Sequence, residues 1–363
     1  MAKKRTYVKY TDIEQIQKDY NPNYIIMYGG RNDGKSYAAK EKALRDYFKD
    51  GSMFCYLRRY DADIREVDNV DYWADFMTEQ NKISELSGGD YNAIQYEKGK
   101  FYLATVTEEK AIRGPAVGYC HALSKESRYK SLQFPEVGTV IYEEFCTDGM
   151  YLFNEVKRFM MYISTIARDR RITVLLIGNT ISRQNAFFRE WQLTNIADQE
   201  PGSVDIYRFN HDESEIVIAA YYTNAQKDNK MFFGAAAKMI TGGDWESHEQ
   251  PHLNGKESDY TEIYRMTFET DSLNRFLMRL MVDKDGTPLW YVTKRTSDIK
   301  PHERIISPKL YYTPYYTAGF TPLTSDEKAA FIILDQGRIA YGDNLTGTEF
   351  KRAMKQLNVI RKE

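Results

Sequence analysis

Residues 23–40 read NYIIMYGGRNDGKSYAAK. The stretch opens with a short apolar run, 23–28, that stops at Gly29-Gly30, as a buried strand feeding a turn does. It closes in good helix formers whose helical period continues to residue 47. Between the two lies Gly29-Gly30-Arg31-Asn32-Asp33-Gly34-Lys35-Ser36, a Gly-x-x-x-x-Gly-Lys-Ser pattern. Glycines there reach backbone conformations closed to other residues, so successive N–H groups can converge on phosphate oxygens. Lys35 would add positive charge near the β and γ phosphates, and the Ser36 hydroxyl would ligate Mg²⁺. The helix that begins here points its positive dipole end at the same place. The stretch therefore predicts a strand, a phosphate loop formed by residues 29–36, and a helix that together bind ATP with Mg²⁺.

Outward from this point, strands alternate with helices. Residues 52–58 (SMFCYLR), 137–142 (VGTVIY) and 172–177 (ITVLLI) read as buried strands, and 117–123, 204–210 and 215–221 as further ones. Residues 71–86 and 150–168 read as helices, and 93–106 as a hairpin around Glu97-Lys98-Gly99-Lys100. The alternation predicts an α/β domain, 1–224, with a mostly parallel sheet and its ligand at the carboxyl ends of the strands. The pattern changes at 225–260, which reads as a polar, turn-rich linker. A second, smaller domain follows at 261–363. There 261–270, 275–282 and 289–294 read as strands, the last two flanking the turn Asp283-Lys284-Asp285-Gly286. A Tyr- and Pro-rich loop spans 308–322, and a helix at 349–357 closes the chain.

The remaining chemistry falls at strand ends. In Val140-Ile141-Tyr142-Glu143-Glu144 the first acid can reach a magnesium shell and the second can orient an attacking water. Glu143 stands where aspartate is usual, and its extra methylene moves the carboxylate about 1.5 Å outward. The alternative is a pair of solvated glutamates. Asn179 follows the strand 172–177 and could hydrogen-bond a γ-phosphate or the water, or be a turn asparagine. Arg168-Asp169-Arg170-Arg171 precedes that strand. It could stabilise phosphoryl-transfer charge across a subunit boundary, or simply place cations at a helix end. Arg58-Arg59-Tyr60, after the second strand, could touch nucleotide, a neighbouring subunit or DNA, or be structural.

Composition narrows the class. The formal net charge is -2 over 363 residues, so bulk electrostatics do not drive polyanion binding and any DNA contact must come from a local patch. The three cysteines, Cys55, Cys120 and Cys146, have neither metal-ligand spacing nor an even count, which favours a reducing compartment. No apolar run reaches the roughly 18 residues of a membrane span, and the basic start has no apolar stretch behind it, so no signal peptide is expected. Tyrosine is abundant at 29. Such residues can stack on bases or form subunit contacts, or be half-buried in strands.

Taken in order, residues 25–40 (IIMYGGRNDGKSYAAK), 53–61 (MFCYLRRYD), 121–131 (HALSKESRYKS), 137–145 (VGTVIYEEF) and 175–182 (LLIGNTIS) resemble the DNA-packaging (encapsidation) ATPases of small tailed bacteriophages, relatives of terminase large subunits. The resemblance covers the first domain and extends more weakly to the C-terminus. It implies an ASCE-class P-loop ATPase that assembles as a ring, pentameric in that family, on the portal of an empty procapsid. There it would drive double-stranded DNA inward with ATP. It leaves open whether a structural RNA joins the motor. It implies a host-cytoplasmic protein, transiently on the procapsid, outside membranes and absent from the mature virion. Carried over, Lys35 and Ser36 hold phosphate and Mg²⁺, Glu143 holds the metal, and Glu144 acts on the water. The cluster Arg168 to Arg171 matches the region that supplies a trans-acting arginine, with Arg170 the expected member and Lys125 or Lys130 a second residue between subunits. Lys3, Lys4, Arg5, Arg58, Arg59 and Arg65 are candidates for the DNA track. The second domain would be RNase H-like. Its acids, among them Glu269, Asp271, Asp283, Asp285 and Asp343, form no convincing cluster, so no nuclease activity is expected. Outside the family, a helicase-like or AAA-type remodeller, or a nucleotide-binding scaffold without turnover, would share the same phosphate loop.

Overall fold

The structure, a computed structural model, describes residues 6–7, 12–31, 33–64, 72–147, 151–183, 185–211, 214–224, 245–271 and 274–360. The chain divides into two compact units, residues 1–181 with 198–244, and residues 182–197 with 245–363.

In the first unit the apolar runs become the centre of a sheet. Strands β2 (Tyr24–Gly29), β3 (Met53–Arg58), β7 (Val137–Glu143) and β8 (Thr173–Asn179) are buried almost throughout. Such strands lose both faces to water and need cover on both sides. Each fully buried side chain, such as Ile25, Ile26 or Met27, adds about 1.5–3 kcal/mol of transfer free energy. The other strands are β1 (Thr6–Tyr7), β4 (Ala93–Glu97), β5 (Lys100–Val106), β6 (Ala111–Ala122), β9 (Ser203–His211) and β10 (Ser214–Tyr222). Among the described residues the order is β1-β9-β10-β2-β8-β7-β3-β6-β5-β4. The run from β10 to β6 is parallel, and both edges are antiparallel. Strand β8 thus lies between β2 and β7. Its register sets Asn179 opposite Gly29, and Ile177 opposite Glu143.

Helices α1 (Ile13–Tyr20) and α2 (Lys35–Asp50) share one apolar core with this sheet, built on Ile13, Ile16, Ala39, Leu44, Met27, Ile141 and Leu175. A short helix, α3 (Lys82–Leu86), precedes β4. Helix α4 (Glu155–Ala167) buries Val156, Phe159, Tyr162, Ile163 and Ile166 at helical spacing, and stacks Phe159 on Tyr142 of β7.

The second unit carries α5 (Ala186–Glu190) and a separate sheet. Strands β11 (Thr261–Asp271), β12 (Asn274–Val282) and β13 (Pro288–Lys294) form an antiparallel meander. Strand β14 (Arg304–Ile306) lies parallel beside β11, β15 (Tyr316–Thr317) beside β14, and β16 (Ile339–Tyr341) parallel beside β13. Helices α6 (Ser325–Asp335) and α7 (Asn344–Ile360) complete its core with Phe331, Phe350 and Leu357 against Phe268, Met278 and Trp290.

Several elements differ from the sequence reading. In place of one helix over 71–86 there is a 3-10 turn, Ala74–Phe76, then α3. The Asn81 side chain accepts from the Ser84 amide at 2.9 Å and so starts a new helix. The helix expected from 150 begins at Glu155, after Asn154 in a left-handed conformation (φ 52°). Helices α1 and α6 were not anticipated, although Asp12 and Thr324 cap them by accepting from the Gln15 and Glu327 amides. Residues 225–244 of the expected linker lie outside the described residues. Residues 245–252 run along α7, where the His248 and Gln250 amides donate to Thr348 and Asn344.

Candidate functional site

The phosphate loop joins β2 to α2. Gly34 caps α2 in a left-handed conformation (φ 76°), which a Cβ would disfavour. At Gly29 the constraint is space: a Cβ would stand 2.0 Å from the Thr223 hydroxyl oxygen and 2.9 Å from the Thr223 carbonyl. Thr223, the residue after β10, donates its hydroxyl to Asp33 at 2.6 Å and its amide to the Tyr28 carbonyl at 2.8 Å. The last parallel strand thereby braces the loop. Lys35 is buried, and its ammonium donates to the Gly30 carbonyl at 2.5 Å. Arg31 is exposed, Ser36 is half-buried, and Asn32 lies outside the described residues.

Facing the loop, Glu143 ends β7. Its carboxylate accepts from Tyr72 at 3.3 Å and from Tyr56 at 3.5 Å, and the Ser36 hydroxyl lies near it. Burial pushes its pKa up, opposed by the nearby Ser36 hydroxyl and by the Arg58 and Lys40 cations. The Ser36 hydroxyl and the Glu143 carboxylate that would hold Mg²⁺ therefore lie near each other, in the hard-oxygen environment magnesium prefers. Lys40, one turn beyond Ser36, donates to the Tyr72 carbonyl at 3.0 Å and pairs with Asp75 at 2.5 Å, which ties the Tyr72 segment to α2.

Glu144 differs in every respect. Its backbone is left-handed (φ 57°) and its side chain is 63% exposed. It pairs with Arg58 at 2.6 Å. Arg58 also donates to Tyr56 at 3.2 Å, so one arginine links the ends of β3 and β7. Its neighbour Arg59 turns into the interior toward Glu155. Tyr60 is exposed, and its amide donates to Asp63.

Asn179 is half-buried beside Gly29, where the Thr180 amide donates to the Gly29 carbonyl at 3.1 Å. The geometry thus gathers Gly29, Lys35, Ser36, Arg58, Glu143, Glu144 and Asn179 at the carboxyl ends of parallel strands. Lys125 shares that edge, in the turn Leu123–Arg128 after β6, while Lys130 lies 3.7 Å from Glu126.

Arg168 to Arg171 sit elsewhere. They precede β8, one strand length from its phosphate end, or about 20 Å at 3.3 Å per residue. Arg170 donates to the carbonyls of Phe134, Val137 and Ile166 at 2.8–3.1 Å. Arg168 donates to Leu132, and Arg171 to Asn21. Lys3, Lys4, Arg5 and Arg65 lie outside the described residues.

In the second unit Glu269 is fully buried, pairs with Arg275 at 2.6 Å and accepts from Tyr311. Asp343 accepts from the Thr346 amide and hydroxyl, both at 2.7 Å, and Asp283 accepts from the Asp285 and Thr287 amides. The side chain of Asp271 lies outside the described part.

Sequence reasoning missed Thr223, Tyr56 and Tyr72. Thr223 carried a signal, since it follows the last strand that could join the parallel set. The tyrosines carried none, because their hydroxyls meet Glu143 only through the fold.

A family model, Podovirus DNA encapsidation protein (Gp16), matches residues 4–247. The chain is 25% identical over 239 residues to the DNA packaging protein of Bacillus phage PZA, covering 62% of this chain and 63% of that one. It is 27% identical over 170 residues to that of Bacillus phage B103, 46% of each chain. The matches thus span less than two thirds of the length of these relatives. A chain of the bacteriophage Phi-29 viral genome packaging motor assembly is similar in fold, with a TM-score of 0.53, 17% identity, and coverage of 96% of this chain and 100% of that one.

Proposed function

The chain belongs to the podovirus DNA encapsidation protein (Gp16) family, and we propose from that premise that it is an ATP-driven motor that moves double-stranded viral DNA into a procapsid. The observation that carries the reading is the placement of Glu143 at the end of β7, one strand from the loop strand and near the Ser36 hydroxyl, with Glu144 next in the chain and Lys35 buried in the loop.

In this reading the loop amides and Lys35 bind the β and γ phosphates, and Ser36 and Glu143 hold Mg²⁺. Mg²⁺ held there would neutralise charge that develops on the phosphate oxygens. Glu144 orients the water whose oxygen bonds to the γ-phosphorus as the bond to the β–γ bridging oxygen breaks. Asn179, beside both β2 and β7, senses the γ-phosphate. The Arg58–Glu144 pair holds the water-orienting carboxylate away from that task, so Arg58 must release it before hydrolysis. The strand order β2-β8-β7, with one strand between the loop strand and the acidic strand, supports the ASCE class. The arginines at 168–171 are too far along β8 to reach their own loop. They act, if on nucleotide, on a neighbour's, which supports a ring on the portal. Membership of the family supports the partners named from the resemblance.

The second unit supports an RNase H-like reading. A three-stranded antiparallel meander is followed by β14 parallel beside its first strand and β15 beyond. Glu269, Asp283 and Asp343 are each engaged in an ion pair, turn or cap, which supports a domain that does not cut DNA.

ATP hydrolysis by the purified protein, with and without double-stranded DNA and procapsids, tests the proposal beside Glu144→Gln. Stimulation that the variant loses is the expected result. Hydrolysis indifferent to both additions would sink the packaging assignment.

A further inference from the structure

Adjacent arginines at the end of β3 grip Glu144 from two sides. Arg58 holds its side chain. Arg59 is buried, and donates through Nη1 to the Glu144 carbonyl and through Nη2 to the Phe145 carbonyl, both at 3.0 Å. The same guanidinium is fixed from behind by Glu155, at 2.8 Å from Nε and 3.1 Å from Nη2. The Glu155 side chain is wholly buried, and is itself held by the Tyr142 hydroxyl at 2.7 Å and the Leu152 amide at 2.8 Å. Together these bonds tie the end of β3 to the end of β7, the turn after it and the first turn of α4.

Glu144 needs this support. A non-glycine residue at φ 57° is unfavourable by about 1–2 kcal/mol, and such a conformation persists only where its surroundings over-determine it. A planar guanidinium grips a carboxylate through Nε and Nη2 while Nη1 and Nη2 reach two carbonyls; an ammonium, with its three donors on one atom, cannot reproduce that fork.

We propose that Arg59, oriented by Glu155, is a positioning residue that fixes the backbone of Glu144 and so aims its carboxylate at the attacking water. The proposal rests on the reading of Glu144 given above.

Arg59→Lys keeps a cation for Glu155 and loses the fork. The experiment compares its kcat for ATP hydrolysis, its affinity for a fluorescent ATP analogue and its melting temperature with those of the parent and of Glu144→Gln. A misplacement of about 1 Å can cost on the order of 10²-fold in rate. The expected result is therefore a kcat at least tenfold lower, with nucleotide affinity within about twofold of the parent. A folded Arg59→Lys that hydrolyses at the parent rate overturns the proposal, as does a parallel loss of kcat and nucleotide affinity. If Arg59→Lys does not fold, Arg59→Met with Glu155→Leu removes both buried charges together and carries the same two readouts. Normal hydrolysis by Glu144→Gln would instead sink the underlying reading, whatever Arg59→Lys does.

Discussion

Gly29 and Gly34 belong to one loop, yet the fold asks different things of them. Gly34 needs a left-handed backbone, but no atom lies within 4 Å of where a Cβ would stand. Gly29 needs the space itself, because the Thr223 hydroxyl and carbonyl occupy it. Gly34→Ala should therefore cost about 1–2 kcal/mol of local strain and leave the β2–β10 contact intact. Gly29→Ala should cost about 1–3 kcal/mol or more through overpacking, because the Thr223 carbonyl, a backbone atom, stands 2.9 Å from the added Cβ and cannot swing aside as the Thr223 and Asp33 side chains can. It should also weaken nucleotide binding, since displacing Thr223 releases Asp33. Thermal melting and ATP-analogue affinity measured on both variants check this. If Gly34→Ala proves the more damaging, the Thr223 brace is not what holds the loop.

At the scale of elements, the sequence was most legible where one local signal had one structural outcome. An apolar run ending in Gly29-Gly30 could hardly be other than a buried strand, and β3, β7 and β8 were readable for the same reason. Residues 71–86 were harder, because Trp73 and Phe76 serve a core whose demands override the helical period of the stretch. Tyr56 and Tyr72 reach Glu143 from positions that no spacing links. Helix α7 offers a test of how its own elements are held. Its Glu349 is almost wholly buried, and accepts from the Ser182 hydroxyl and Arg183 amide at 3.3 Å and from Arg352 at 3.1 Å. Burial nevertheless pushes its pKa above the ordinary carboxylate value of 4.5. A raised native pKa means that the fold binds this proton more tightly than the unfolded chain does. The associated stability is present in full below the unfolded value and is lost as pH rises through the native one. Glu349→Gln, which resembles the protonated form, should thus melt higher than the parent at pH 8, and the gap should close on acidification toward pH 4. A variant that melts lower at pH 8, with the deficit vanishing in acid, would mean that the Arg352 pair outweighs the cost of burial.

The whole molecule poses the question of reach. A site at the carboxyl edge of the sheet cannot be completed by arginines at its amino edge, so any catalytic arginine among residues 168–171 must serve another copy of the chain. Arg170 would have to exchange three carbonyls of its own chain for a neighbour's nucleotide. Mixing separates the two roles. In the proposed roles, Glu144→Gln would lack the water-orienting group but offer an intact arginine, and Arg170→Ala would offer the reverse. Each alone should be inactive if Arg170 acts in trans. In rings assembled at random from equal amounts of both, about one quarter of the junctions would pair a sound Glu144 with a sound Arg170. The mixture should then regain DNA-stimulated hydrolysis that neither variant shows. If Arg170 only braces the end of α4 against the segment before β7, Arg170→Ala should instead melt lower and mixing should restore nothing. Arg168→Ala and Arg171→Ala, run through the same mixing, identify which guanidinium crosses the boundary, since each is held by a single carbonyl and is freer to leave it.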